Sequence, residues 1–227
     1  MIGGLQKVTL LDFPGKVACT VFLTGCNLRC PYCHNPELVL PRNNGKTVSE
    51  NELFEFLFSR KGKLDGVCIT GGEPMLYPSL PDLIRRIKEM GFLVKLDSNG
   101  TLPEMLEHLL REELLDYVAM DIKNAPSRYA ETCGADVIEQ VKKSAALLKN
   151  GNIDYEFRTT VCHPFHSPKC MEEIGRWLRN AKRYYIQPFV DSGNLLGSGV
   201  SVMTRTELEE LLSAVKPYIP AAELRGV

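Results

Sequence analysis

The sequence predicts an α/β fold, an incomplete (β/α)6 barrel of TIM type with a short N-terminal β-segment. Three observations predict it. Apolar, β-rich runs alternate with segments of helical period six times over. Each of the six runs ends in polar or glycine-rich residues, as expected where chemistry gathers at the C-terminal ends of barrel strands. The length, 227 residues, suits six units plus loops better than the roughly 250 residues of a full eight-unit barrel.

The β-runs are Val17–Thr24, Gly66–Thr70, Phe92–Leu96, Tyr117–Ile122, Tyr155–Val161 and Arg183–Pro188. Helical patterns lie at Val48–Arg60, Leu80–Met90, Leu102–Arg111, Ala135–Lys149, Pro168–Asn180 and Thr204–Val215. Gly91 and Gly151 stand where C-terminal helix caps are expected. The chain therefore reads as one domain: residues 1–16 form the β-segment, 17–190 the barrel core, and 191–227 a C-terminal loop and helix.

Hydrophobic residues make up 44% and charged residues 24%, an ordinary globular balance that can bury a core without staples. A net charge of −1 gives no electrostatic case for a nucleic-acid or anionic-membrane partner. The N-terminus lacks a basic region followed by an apolar run, and no segment reaches the roughly 18 apolar residues of a membrane helix. The expectation is a cytoplasmic protein.

Eight cysteines are present, and in that compartment they are expected to stay reduced. Three of them, Cys26, Cys30 and Cys33, fall within eight residues. Several chemistries use parts of this pattern. Cys30-Pro31-Tyr32-Cys33 alone matches a redox dithiol, but leaves Cys26 idle. Cys30-x-x-Cys33-His34 matches a c-type haem attachment, which normally requires export. A structural zinc site wants four closed ligands, and the consecutive side chains of Cys33 and His34 diverge. Iron–sulfur ligation accounts for the spacing best, because close-set thiolates can wrap a cubane. With three local cysteines one iron keeps an open position, the mark of a catalytic metal site.

The other strand ends carry weaker signals. Gly71 and Gly72, before Glu73 and Pro74, lack Cβ atoms and let backbone approach a ligand closely, although a tight turn needs the same residues. Asp97-Ser98-Asn99-Gly100 fits a strand-to-helix turn with an Asx bend. Asp121 follows Ala119 and Met120 in a run fit for burial, where a carboxylate is expected to be paired or bound to a cation.

The Cys-x3-Cys-x2-Cys spacing with Tyr32 before the last cysteine resembles the radical S-adenosylmethionine (SAM) superfamily. The resemblance implies a [4Fe–4S] cluster on Cys26, Cys30 and Cys33, with SAM chelating the fourth iron and cleaved reductively to a 5′-deoxyadenosyl radical. It implies SAM contacts from Tyr32, His34, Gly71, Gly72, Glu73, Pro74, Ser98, Asn99, Lys123 and Arg158. The Asp97-Ser98-Asn99-Gly100 and Met120-Asp121-Ile122-Lys123 pair is similar to that of glycyl-radical-enzyme activators, which implies a monovalent cation (Na+ or K+) near Asp97, Ser98 and Asp121. Those activators often carry a histidine after the last strand. Pro188-Phe189-Val190 stands there instead, leaving Val190 at most a backbone contact.

The opening Thr9-Leu10-Leu11-Asp12-Phe13-Pro14-Gly15 and the run Cys33-His34-Asn35-Pro36-Glu37 look most like anaerobic ribonucleoside-triphosphate reductase activating proteins. The implied reaction is generation of a glycyl radical on a partner enzyme, anaerobic ribonucleotide reductase, with flavodoxin or ferredoxin as electron donor. No cysteine lies between His34 and Val67, which excludes a second cluster there. The rival readings are a radical SAM enzyme acting on a small molecule, such as a 7-carboxy-7-deazaguanine synthase, and a non-catalytic iron–sulfur or zinc protein.

Some features point nowhere specific. Cys162, His163, His166 and Cys170 fit no metal template. Gly193 to Gly199 reads as a mobile loop, because it lacks the Lys-Ser/Thr ending of a phosphate loop. Cys19 and Cys68 alternate with apolar neighbours and read as packing residues.

Overall fold

A computed structural model of the protein describes residues 1–40, 47–191 and 193–227. The chain folds as two compact units. One comprises Met1–Asn27, Glu37–Ser98 and Glu104–Val118; the other comprises Leu28–Pro36, Asn99–Pro103 and Ala119–Val227.

In the first unit, strand β1 (Ile2–Thr9) pairs antiparallel with β2 (Ala18–Leu23). β2 pairs parallel with β3 (Gly66–Gly71), in register from Ala18 opposite Gly66 to Leu23 opposite Gly71. β3 in turn pairs parallel with β4 (Leu93–Ser98). The helices are α1 (Pro36–Val39), α2 (Glu50–Ser59), α3 (Leu80–Glu89) and most of α4 (Pro103–Arg111). β2 and β3 are apolar on both faces, as parallel strands covered on two sides must be. α3 turns Leu80, Leu83, Ile84 and Ile87 to the interior at helical spacing. α2 starts at Ser49, whose hydroxyl accepts the Glu52 N–H while the Glu52 carboxylate accepts the Ser49 N–H, a reciprocal cap.

The second unit holds α5 (Tyr129–Cys133), α6 (Ile138–Asn150), β6 (Asp154–Val161), α7 (Pro168–Trp177), β7 (Tyr184–Pro188), α8 (Arg205–Val215) and β8 (Ala222–Leu224). β6, β7 and β8 pair parallel in that order. Strand β5 (Tyr117–Asp121) runs from the first unit into the second.

All six predicted strands and all six predicted helices form, with ends shifted by a few residues, the margin by which helix and strand ends fray. α1, α5 and β8 were not predicted: three to five residues are too few to show a period. Gly91 lies just past α3 in the left-handed region, at φ +92°, as predicted. Gly151 closes α6 differently, extended at φ −85° with its N–H on the Leu147 carbonyl at 3.0 Å. Among the described residues, no helix is long and apolar enough to cross a membrane.

Candidate active site

The turn after β3 is shaped by contact with the turn after β2. A Cβ built on Gly71, whose φ is +124°, falls 2.2 Å from the Leu23 carbonyl oxygen. One built on Gly72 falls 2.0 Å from the Gly25 carbonyl oxygen and 3.3 Å from the Cys26 Cβ. Only glycine permits this approach. The backbone is stitched in step, with the Gly72 N–H on the Leu23 carbonyl at 2.9 Å and the Glu73 N–H on the Gly25 carbonyl at 2.8 Å. The turn after β3 and the segment leading into Cys26 thus form one surface, and the glycines serve to admit the backbone of Leu23 and Gly25.

Glu73 is buried. Its Oε1 accepts the Ser98 hydroxyl at 3.0 Å and the Met75 N–H at 3.1 Å, tying the glycine turn to the end of β4. Pro74 opens the single-turn helix Pro74–Leu76 and is also buried. Asp97 points to the buried ammonium of Lys95, with which it forms an ion pair. Cys68 Sγ lies 3.8 Å from each of them. Cys68 therefore touches a charge pair, whereas the sequence predicts simple packing. Cys19 is fully buried, and burial pushes its thiol up to about 12.

In the second unit, Cys30-Pro31-Tyr32-Cys33 is a tight turn closed by the Cys33 N–H on the Cys30 carbonyl at 3.0 Å, with proline at the corner it favours. Backbone hydrogen bonds help hold the segment. The Arg29 N–H donates to the Cys133 carbonyl at 2.8 Å, the Leu196 N–H to the Cys33 carbonyl at 3.0 Å, and the Gly197 N–H to the Pro31 carbonyl at 2.9 Å. The stretch that the sequence reads as a mobile loop is therefore bonded to the cysteine turn through Leu196 and Gly197.

Tyr32 is buried, and its hydroxyl reaches the Lys123 carbonyl at 3.4 Å. Burial, with the Cys30 thiol beside it, drives its ionisation far up, so it stays a neutral donor. Its ring meets Phe165 and His166, each with centroids 6.2 Å apart. The Lys123 N–H donates to the Tyr129 hydroxyl at 3.2 Å.

Asp121 receives two cations: Lys123 Nζ at 3.0 Å on Oδ2 and Arg158 Nε at 2.9 Å on Oδ1. Burial alone would raise the Asp121 carboxyl. The opposing charges of Arg158 and Lys123 outweigh it and hold the group well below the usual carboxylate range. Lys123 is the mirror case: burial works against its charge, and Asp121 restores it. Asn99 is buried with its Oδ1 accepting the Thr101 N–H at 3.0 Å and the Thr101 hydroxyl at 2.7 Å, the predicted Asx bend. His34 and Val190 are exposed.

His166, Phe165, Tyr129, Lys95 and Gly197 were missed as site residues. Lys95 carried a legible signal, a lysine in an apolar strand two residues from an aspartate. The others carried none beyond residue type. Of Cys162, His163, His166 and Cys170, the Cys162 backbone bonds His166 Nδ1 at 3.2 Å, His163 Nε2 lies 3.0 Å from Glu207, and Ser167 Oγ, 3.3 Å from Cys170 Sγ, also caps α7.

The thiols of Cys26, Cys30 and Cys33 form no disulfide, and Cys30 is buried while the other two are partly exposed. Among the described residues, no three His, Cys, Asp or Glu side chains gather for a single metal ion. A cubane takes thiolates at separate corners, so its ligands need not converge. Close-set cysteine thiols are the donor type that an iron–sulfur cluster takes, and the glycine turn lies against Cys26.

The Radical SAM superfamily model matches residues 20–178, from within β2 to just past α7. The chain belongs to the radical SAM superfamily. A provisionally named glycyl-radical enzyme activating enzyme of Methanocaldococcus jannaschii is 34% identical over 237 aligned positions, which span 100% of this chain and 96% of that protein. The pyruvate formate-lyase-activating enzyme of Clostridium pasteurianum is 35% identical over 128 residues, 54% of this chain and 52% of that enzyme. The solved structure of SuiB from Streptococcus suis bound to S-adenosylmethionine matches with a TM-score of 0.69 and 15% identity, over 91% of this chain and 52% of SuiB. That likeness shows the fold, the α/β architecture of partial TIM-barrel type that the strand–helix alternation predicts. This radical SAM protein is thus an enzyme of the activating-enzyme type, and its superfamily implies SAM and a [4Fe–4S] cluster.

Proposed function

We propose that the protein activates a glycyl-radical enzyme, with anaerobic ribonucleotide reductase as the partner and flavodoxin or ferredoxin as the electron donor. The observation that carries the reading is the end-to-end likeness to an activating enzyme, 34% identity over 100% of this chain and 96% of the relative.

Cys26, Cys30 and Cys33 would hold the cluster, leaving one iron for SAM. When bound, cluster and SAM together supply one-electron cleavage of the sulfonium and, from it, hydrogen-atom abstraction. The chain's own residues supply position and charge. Gly71 and Gly72 let the turn after β3 close on the backbone of Leu23 and Gly25, next to Cys26. Glu73 and Ser98 brace that turn. Tyr32 docks the cysteine turn on the Lys123 carbonyl. Lys123 and Arg158, fixed by Asp121, present positive charge suited to a carboxylate. His34, Asn99 and Pro74 complete the proposed SAM contacts.

The test is anaerobic reconstitution with iron and sulfide, followed by reduction with SAM and candidate partners. A glycyl-radical electron paramagnetic resonance signal on the partner supports the proposal. Release of 5′-deoxyadenosine stimulated by a small heterocycle and by no glycyl-radical protein selects the small-molecule rival. One bound zinc without SAM cleavage ends the enzyme reading.

A further inference from the structure

Both aspartates that the activator resemblance assigns to a monovalent metal ion already hold cationic side chains. In the first unit, Lys95 and Asp97 stand two residues apart on β4 and so share a face. Lys95 is 2% exposed, and its Nζ lies 3.8 Å from Cys68 Sγ and 6.0 Å from the Tyr117 ring centroid. An ammonium buried this deeply needs a carboxylate, and Asp97 Oδ1 supplies one. A metal ion on Asp97 would sit against a positive charge that has no water to retreat to. The Ser98 hydroxyl spends its proton on Glu73.

In the second unit the balance is more lopsided. One carboxylate, Asp121, carries two cations, one on each oxygen. A third positive charge there meets net repulsion.

We propose that Lys95 on Asp97 and, separately, Lys123 and Arg158 on Asp121 already supply the positive charge that a monovalent metal ion would bring to each carboxylate, so that this enzyme binds SAM without Na+ or K+. The proposal rests on the SAM-binding reading for the place the ion would occupy, and the two are tested separately.

The reconstituted full-length enzyme is titrated with SAM by calorimetry, with K+, Na+ or tetramethylammonium as the sole monovalent cation. Binding in K+ tests the SAM reading. The proposal expects dissociation constants within about twofold across the three salts. Affinity about tenfold weaker in tetramethylammonium than in K+ overturns it. Thallium(I) resonance of the reconstituted enzyme without SAM is a readout that needs no SAM binding: no saturable broadening is expected, and saturable broadening abolished in Asp97→Asn overturns the proposal. Lys95→Met, if it folds, should acquire a preference of about tenfold for K+ over tetramethylammonium. A folded Lys95→Met protein indifferent to the salt overturns the role of Lys95, and the wild-type titration decides the matter should the variant not fold.

Discussion

His166 Nε2 lies 2.9 Å from the carbonyl oxygen of Lys123, 43 residues away. A carbonyl can only accept, so Nε2 carries the proton; Nδ1 lies 3.2 Å from the Cys162 backbone nitrogen and 3.3 Å from the Cys162 carbonyl oxygen, accepting the N–H when the ring is neutral and donating to the oxygen when it is charged. One neutral tautomer satisfies both bonds. The imidazole therefore bolts the turn after β6 to the backbone after β5, on the same oxygen that the Tyr32 hydroxyl approaches.

Replacing His166 by Phe keeps the ring and removes both bonds. Loss of one buried neutral hydrogen bond costs about 1 kcal/mol, and SAM affinity should fall roughly fivefold as Lys123 loosens. Calorimetry measures it. His166→Gln, which can still donate to the Lys123 oxygen, should recover part of the loss. Equal affinity in all three proteins would show that His166 does not position Lys123.

The same residue makes stability depend on pH. Burial lowers the His166 pKa and Arg128 adds to the effect, while the Lys123 and Cys162 carbonyl oxygens, which favour the charged ring, oppose it. The unfolded chain then binds a proton, near the ordinary value of 6.5, that the folded chain refuses. The sign follows: stability is full above that value and declines as pH falls below it, by at most about 1.4 kcal/mol per pH unit. In His166→Phe this part of the slope disappears. Denaturant unfolding of both proteins at about pH 7.5 and about pH 5.5 should show their stabilities drawing together at the lower pH.

Gly72 and Gly91 should fail in different ways. Alanine at 72 drives a Cβ into the Gly25 carbonyl, 2.0 Å away, beside Cys26. We expect destabilisation of about 1–3 kcal/mol and a reduced iron content after reconstitution. Alanine at 91 meets nothing within 4 Å but inherits φ +92°, a strain of about 1–2 kcal/mol with full iron content. Iron and sulfide analysis separates the two, and a full cluster in Gly72→Ala would refute a link between the glycine turn and the cluster.

Gly197 abuts the cysteine turn. A Cβ there would lie 2.8 Å from the Pro31 Cα. Gly197→Val should displace the turn without removing a cluster ligand. The cluster should assemble, with its reduced electron paramagnetic resonance spectrum and potential altered. A spectrum identical to wild type would make the contact incidental.

Ser49→Ala tests local helix chemistry alone. It should cost about 1 kcal/mol through the lost α2 cap, measured by denaturant unfolding, and leave SAM affinity unchanged.

The sequence by itself determined the alternation of strands and helices, because side-chain period is a local property that twelve of these elements are long enough to display. It also determined the cluster motif, whose three thiols lie within eight residues, and with it the superfamily. Tertiary structure decided the rest of the site. Arg158 meets Asp121 across 37 residues, and His166 meets Lys123 across 43. Gly197 meets Pro31 across a still longer stretch of chain. Such bonds depend on which strand ends the fold brings side by side, and no spacing along the chain encodes that. β8 makes the same point for the fold: Ala222–Leu224 is a strand because β7 offers it an edge to pair with.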